Sequence, residues 1–137
     1  MLALSIRQPW AWAIVHAGKR HENRSWSTAY RGPIAIHASK WWQAQEALDQ
    51  FASVQYAAGV TGVALPPITL RTLRDATGGI VGTARIVDCV EKSDSPWFVG
   101  PFGFVLDDVK ALPEIIPCKG ALGLFNVPAD VAARIAP

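Results

Sequence analysis

Lys19 and Glu22 lie three residues apart in a chain of 137 residues. Together they offer a cation that can polarise or donate a proton and a carboxylate that can accept one, the minimum set for acid–base work on a bond or for positioning a water. The same spacing suits a salt bridge that only steadies a turn, worth about 0–1 kcal/mol if exposed. Arg7, Arg24 and Arg31 add planar donor forks that match phosphate oxygens or a base edge, and Arg24 is equally placed to anchor Glu22. Trp10, Trp26, Tyr30, Trp97 and Phe102 accompany these polar positions. Rings beside a basic groove hold single-stranded nucleic acid by stacking, at about 1–3 kcal/mol per base. Most tryptophans of a small domain nevertheless belong to its core, and Trp12, Trp41 and Trp42 are assigned to packing or to a helix surface.

The charge distribution points the same way. Residues 1–40 carry six bases and one acid, and the rest of the chain seven bases and ten acids. Such asymmetry fits an anionic ligand near the N-terminal segment, or equally a solvated basic face. His37 suits a proton carrier or a hydrogen bond to a ligand, although a lone strand histidine is more often structural. His16 and His21 lack helical spacing and an acidic neighbourhood, and Cys89 and Cys118 form no CxxC, so no metal is expected and the thiols are expected to be buried. No Walker loop, GxGxxG or GxSxG is present, which disfavours the common nucleotide triphosphatases, dinucleotide oxidoreductases and serine hydrolases. No cofactor is expected.

The elements that must position these groups follow from periodicity. Leu2, Leu4 and Ile6 alternate with Ala3, Ser5 and Arg7, a strand over 2–7 with Ser5 and Arg7 on one face. Pro9 opens a short buried helix over 10–17 that Gly18 stops. Strands are expected over 22–26 and 33–38 around a turn at Tyr30–Pro33, with Ile34 and Ile36 facing one way and Ala35 and His37 the other. Ser39 is expected to cap a helix over about 40–52 whose core stripe is Trp41, Ala44, Leu48, Phe51 and Ala52. Residues 53–65 read as a loop. Pro66-Pro67 open a second short helix closed by Gly78-Gly79, and strands follow over 80–91, with a bulge or bend at Gly82, then 102–107 and 121–127. Strands at both ends around helical inserts indicate an α+β fold, a small mixed barrel with helices outside, rather than regular βαβ units. The length fits one domain, 1–137. No apolar run approaches the roughly 18 residues of a membrane span, and a reducing cytoplasm fits the cysteine usage best.

Four motifs in order, Ser5-Ile6-Arg7-Gln8-Pro9-Trp10-Ala11, Lys19-Arg20-His21-Glu22-Asn23-Arg24-Ser25-Trp26, Tyr30-Arg31-Gly32 and Ile36-His37-Ala38, resemble the ASCH domain family. The segments 97–104 and 119–125 extend the likeness over nearly the whole chain. In the family fingerprint GxKxxExR, Lys19, Glu22 and Arg24 match, while Ala17 stands at the glycine and Gly18 is shifted by one. The resemblance implies a PUA-like β-barrel with the fingerprint lining a cleft beside the first helix, and RNA or nucleotide binding as the leading function, with hydrolysis described for some relatives. It implies ligand contacts from Ser5, Arg7, Gln8, Trp10, Arg24, Trp26, Tyr30, Arg31, His37 and Trp97, a rim closed by Lys40 and Lys119, and a loop Gly100-Pro101-Phe102-Gly103 over the mouth. Relatives that resemble this chain at the lysine and act on acylated cytidine have a threonine nucleophile where Glu22 stands. A carboxylate does not replace it in acyl transfer, because the product would be a reactive anhydride.

The expected function is therefore an RNA- or modified-nucleotide-binding module. The alternatives are a small metal-independent hydrolase, a ribonuclease or nucleoside amidohydrolase with Lys19 and Glu22 as its catalytic pair, and a scaffold that recruits proteins through a strand edge.

Overall fold

The computed structural model describes residues 1–135. Six strands, β1 (Leu2–Ile6), β2 (His21–Arg24), β3 (Gly32–Ala38), β4 (Gly79–Val90), β5 (Phe102–Pro117) and β6 (Phe125–Asn126), form one sheet in the order β2-β5-β4-β3-β1-β6. Only β1 and β3 run parallel, and the other pairs are antiparallel. The sheet curls into a half-barrel, helped by breaks in register where β4 meets its neighbours, one of them at Gly82. A β-carbon at Gly82 would sit 2.7 Å from the Lys110 carbonyl oxygen, so the close crossing of β5 requires glycine there. Among the described residues four helices, α1 (Trp10–His16), α2 (Ala44–Thr61), α3 (Leu70–Asp75) and α4 (Ala129–Ile135), flank the sheet. The fold is α+β as expected, and the curled half-barrel with flanking helices is consistent with the small PUA-like barrel expected from the sequence.

Alternation in β1 and β3 sorts their side chains onto two faces. Leu4, Ile6, Ile34 and Ile36 join Phe104 and Leu106 in the concave core, whereas Ala3 and Ala35 pack with Val131 and Ile135 of α4. A third cluster, from Trp12 and Ala13 of α1 through Val54 and Ala57 of α2 to Leu73 and Trp97, fixes the helices to one another.

Several boundaries differ from the sequence expectation. Ser39 Oγ accepts from the Trp41 N–H and closes a turn, so α2 begins at Ala44 behind the Gln43 cap and runs on to Gly62, whose φ of 76° ends it. Residues 53–61, expected as loop, are thus helical. The buried stripe is Ala47, Val54, Ala57 and Ala58, and Trp41 and Leu48 are exposed. The register that buries the small residues lets Gln50 Oε1 accept from Trp10 Nε1 at 3.1 Å. The second short helix opens at Thr69, whose side chain caps it, rather than at Pro66-Pro67. Strand β5 is much longer than expected and β6 much shorter. Both cysteines are half-buried free thiols rather than fully buried ones.

Candidate functional site

The floor of the site is built where α1 turns into β2. Gly18 adopts a φ of 77°, a left-handed conformation natural only to glycine, and the Lys19 N–H then returns to the Ala13 carbonyl at 3.1 Å. This turn explains why the glycine one residue late in the fingerprint serves: the positive φ falls on Gly18. Lys19 is thereby driven inward, its side chain 3 % exposed.

There its ammonium donates to the His21 carbonyl and, at 3.2 Å, to Glu22 Oε1. Residues two apart on a strand share a face, so Arg24 lies beside Glu22 and donates from Nε to Oε2 at 3.0 Å. One Nη of Arg24 donates to the Ser5 carbonyl at 2.9 Å, joining β2 to β1. Each oxygen of Glu22 thus accepts from a different cation. Burial pushes the Lys19 ammonium below a lysine's ordinary pKa; Glu22 opposes that shift through charge and hydrogen bond, and Arg24 adds to it.

A cleft of about 570 Å³ opens above this trio. Trp10 forms one wall, its ring centre 5.8 Å from the Lys19 ammonium. Trp97 and Val99, from the segment before β5, and Ser53 and Ala57 of α2 also line the space, as does Arg7. Asn23 holds the Trp97 segment in place: its Nδ2 donates to the Trp97 carbonyl at 2.9 Å, and its Oδ1 accepts from the Val99 N–H at 3.0 Å. Trp97 is 4 % exposed, and its Nε1 is buried with no acceptor among the described residues. An unpaired buried donor is costly, and this one is closed off from solvent.

Ser5 and His37 are neighbours across β1 and β3, with Ser5 Oγ 2.8 Å from His37 Nδ1. His37 Nε2 lies 2.7 Å from the Cys118 carbonyl oxygen. A carbonyl only accepts, so Nε2 carries the proton in the neutral ring and Nδ1 accepts from the serine hydroxyl. Burial lowers the His37 pKa, opposed by the bond to Cys118.

Ser5, Arg7, Trp10, Lys19, Glu22, Arg24 and Trp97 therefore come together around the cleft. His37, Lys40 and Lys119 line an adjoining concavity, which shares Ser5, Arg7 and Arg24 with it. Four sequence candidates stand elsewhere. Gln8 is buried, donating to the Ala76 carbonyl and accepting from the Trp12 N–H. Trp26 packs edge-on against Phe104 at 5.0 Å. Tyr30 donates to the Pro33 carbonyl. Arg31 donates to the Thr28 and Tyr30 carbonyls and stands 3.7 Å from Asp88. Phe102 and Gly103, expected in a loop over the mouth, belong to β5 and pair with Arg24 and Asn23. Asn23, Ser53 and Ala57 were not anticipated. Asn23 carried a signal, as an amide inside the fingerprint, but the α2 residues approach only through tertiary packing. No group of three or more metal-ligating side chains occurs among the described residues, and none of the described helices is long and apolar enough to cross a membrane.

The family model described as ASCH domain matches residues 4–98, a span that holds Lys19, Glu22, Arg24 and Trp97. No curated protein matches the chain.

Proposed function

The chain belongs to the ASCH domain family, at the family level a PUA-like, RNA-binding type of fold, and from that premise we propose that its cleft binds a nucleotide of single-stranded RNA or a modified nucleotide. The observation that carries this reading is the combination of Trp10 and Trp97 lining a cleft with the Lys19–Glu22–Arg24 trio at its base. Its volume of about 570 Å³ falls in the range of small-ligand sites. The half-buried Trp10 ring suits stacking on a base, with the buried Trp97 behind the wall of the cleft. Glu22 Oε1, which accepts from Lys19, has a second lone pair that suits an amino or imino N–H on a base edge. Arg7, with its side chain 56 % exposed, reaches a phosphate at the rim.

Titration with the four ribonucleoside 5′-monophosphates and with a short oligouridylate tests the reading. Affinity is expected to fall as salt rises between about 50 and 200 mM, and Arg7→Ala to weaken binding by roughly five-fold, about 1 kcal/mol for an exposed charge. Binding indifferent to both salt and Arg7 contradicts it.

A second reading, metal-independent hydrolysis, is favoured by two observations: the buried Lys19 with its lowered pKa in a cleft, a frequent mark of catalytic groups, and Ser5, which lines the cleft and whose hydroxyl is bonded to His37 in the adjoining concavity. In this reading Ser5 would supply the hydroxyl in place of the threonine that the acylcytidine-directed relatives have where Glu22 stands. Ser5 Oγ would attack an acyl carbon, His37 Nδ1 would take its proton and pass it to the departing amine, and water would release the acyl group. Incubation with acylated cytidines in the presence of chelator checks it. Product that vanishes in Ser5→Ala and in Lys19→Met supports turnover, and intact substrate removes it.

A further inference from the structure

The second concavity, of about 950 Å³, is lined by Ser5, Arg7 and Arg24, which also line the cleft, and by Lys40, Lys119 and Gly120. Among the described residues its lining has four cationic side chains and no carboxylate. By contrast, the cavity beside α1 and α3 has Asp75 and Glu114 in its lining. Neither Lys40 nor Lys119 has an ion-pair partner among the described residues. Arg7 is held at the shared edge, its guanidinium 4.7 Å from the Trp41 ring centre and 3.8 Å from Glu46. Arg24 uses Nε and one Nη on Glu22 and Ser5, leaving the other Nη without a partner among the described residues.

The floor of this basin is closely packed. A β-carbon on Gly120 would meet His37 Cε1 at 2.7 Å and Ser5 Oγ at 3.0 Å, so the backbone of the β5–β6 loop rests on the Ser5–His37 pair. At its rim Leu122 is 97 % exposed.

We infer that the ligand is a single-stranded RNA segment of two or more nucleotides: one base enters the cleft, the adjoining phosphate crosses Arg7 and Arg24, and the next nucleotide lies in the basin, its phosphate neutralised by Lys40 and Lys119. The inference rests on the base-in-cleft reading and deepens it. Two nucleoside-sized hollows divided by a cationic edge match the alternation of base and phosphate along a strand. A duplex keeps its bases stacked inside the helix and cannot offer one to the cleft.

The test compares uridine monophosphate, a uridine dinucleotide, a uridine tetranucleotide, a duplex of equal length and an acidic peptide, by calorimetry across a salt series. Affinity is expected to rise by roughly ten-fold or more from mononucleotide to tetranucleotide, and the log–log salt slope to steepen by about 0.7 for each phosphate captured. Replacing both Lys40 and Lys119 by alanine is expected to weaken tetranucleotide binding by roughly five- to ten-fold and, by losing one phosphate contact, to make its slope shallower by about 0.7. Both side chains are exposed, so the variant should fold, which its urea midpoint verifies. Lys110→Ala, at a position that lines neither hollow, controls for net charge. A tetranucleotide that binds no better than a mononucleotide overturns the strand path while leaving the cleft reading intact. Absence of binding by either overturns both. A duplex preferred over the single strand, or an acidic peptide that binds while chain length brings no gain, assigns the basin to another partner and overturns the inference.

Discussion

Removing Glu22 should cost more stability than removing Lys19, although the two form one ion pair. Lys19 and Glu22 are 3 % and 9 % exposed at their side chains and 3.2 Å apart, where opposite unit charges attract by about 5 kcal/mol at an effective dielectric constant near 20. Desolvation of both groups cancels much of that attraction. The cost of a substitution therefore depends on which charge is left behind. Glu22→Ala strands the Lys19 ammonium and takes the acceptor from Arg24, and a buried charge left without its partner costs about 3–5 kcal/mol. Lys19→Met leaves Glu22 still bound by Arg24 at 2.9 Å and fills the space with an apolar chain, so about 0–2 kcal/mol is expected. With unfolding entropy near 2.1 cal/mol/K per residue, a loss of about 3 kcal/mol lowers Tm by about 10 °C. Glu22→Gln tests the electrostatics separately. It removes the charge that raises the Lys19 pKa, while burial and Arg24 continue to lower it, so that pKa should fall further, read from side-chain carbon shifts of labelled lysine. Equilibrium urea unfolding of the variants gives the energies. A Glu22→Ala protein within about 1 kcal/mol of the wild type, or Lys19→Met as costly as Glu22→Ala, refutes a buried shared carboxylate.

Three further outcomes are expected. Asn23→Ala frees the Trp97–Val99 segment from its two side-chain hydrogen bonds, costing about 1–3 kcal/mol, with faster hydrogen exchange at the Val99 amide as the direct readout. Burial lowers the pKa of His16, His21 and His37 from a histidine's ordinary 6.5. The folded state thus disfavours their charged forms, and stability that is complete above pH 6.5 is lost as the pH falls through that value toward the folded pKa of each; urea midpoints across this range measure it. Gly82→Ala forces a β-carbon to within 2.7 Å of the Lys110 carbonyl oxygen, and a loss of about 1–3 kcal/mol is expected, read by the same unfolding assay.

The base of the cleft was legible because its residues are close in sequence and their geometry is local. A helix stop at Gly18, an inward lysine and a strand that places Glu22 and Arg24 on one face need only short-range rules. The faces of β3 were legible for the same reason. Tertiary packing decided the rest. Arg31 and Tyr30 have the composition of a binding turn, yet nearby carbonyls take their donors. Gln8 stands within the first motif, but its amide is used between the start of α1 and the end of α3. The largest apolar residues of α2 suggest one stripe, whereas packing against α1 admits the small ones, and Trp41 is left outside under Arg7. In β5 the alternation fades after Leu106, where side chains on both faces are exposed, so nothing in the pattern marked its length. Helix α4 was missed altogether, and with it the reason Ala3 and Ala35 are small and buried.

The most direct test of the cleft is the indole N–H spectrum of the nitrogen-labelled protein during addition of a uridine tetranucleotide. Signals of Trp10 and Trp97, which line the cleft, should shift together and saturate, Trp10 the more strongly because its ring is the more exposed of the two, while Trp12, packed between α1 and α2, stays in place. Unmoved Trp10 and Trp97 signals at concentrations that shift other parts of the spectrum would contradict the claim that the cleft receives the base.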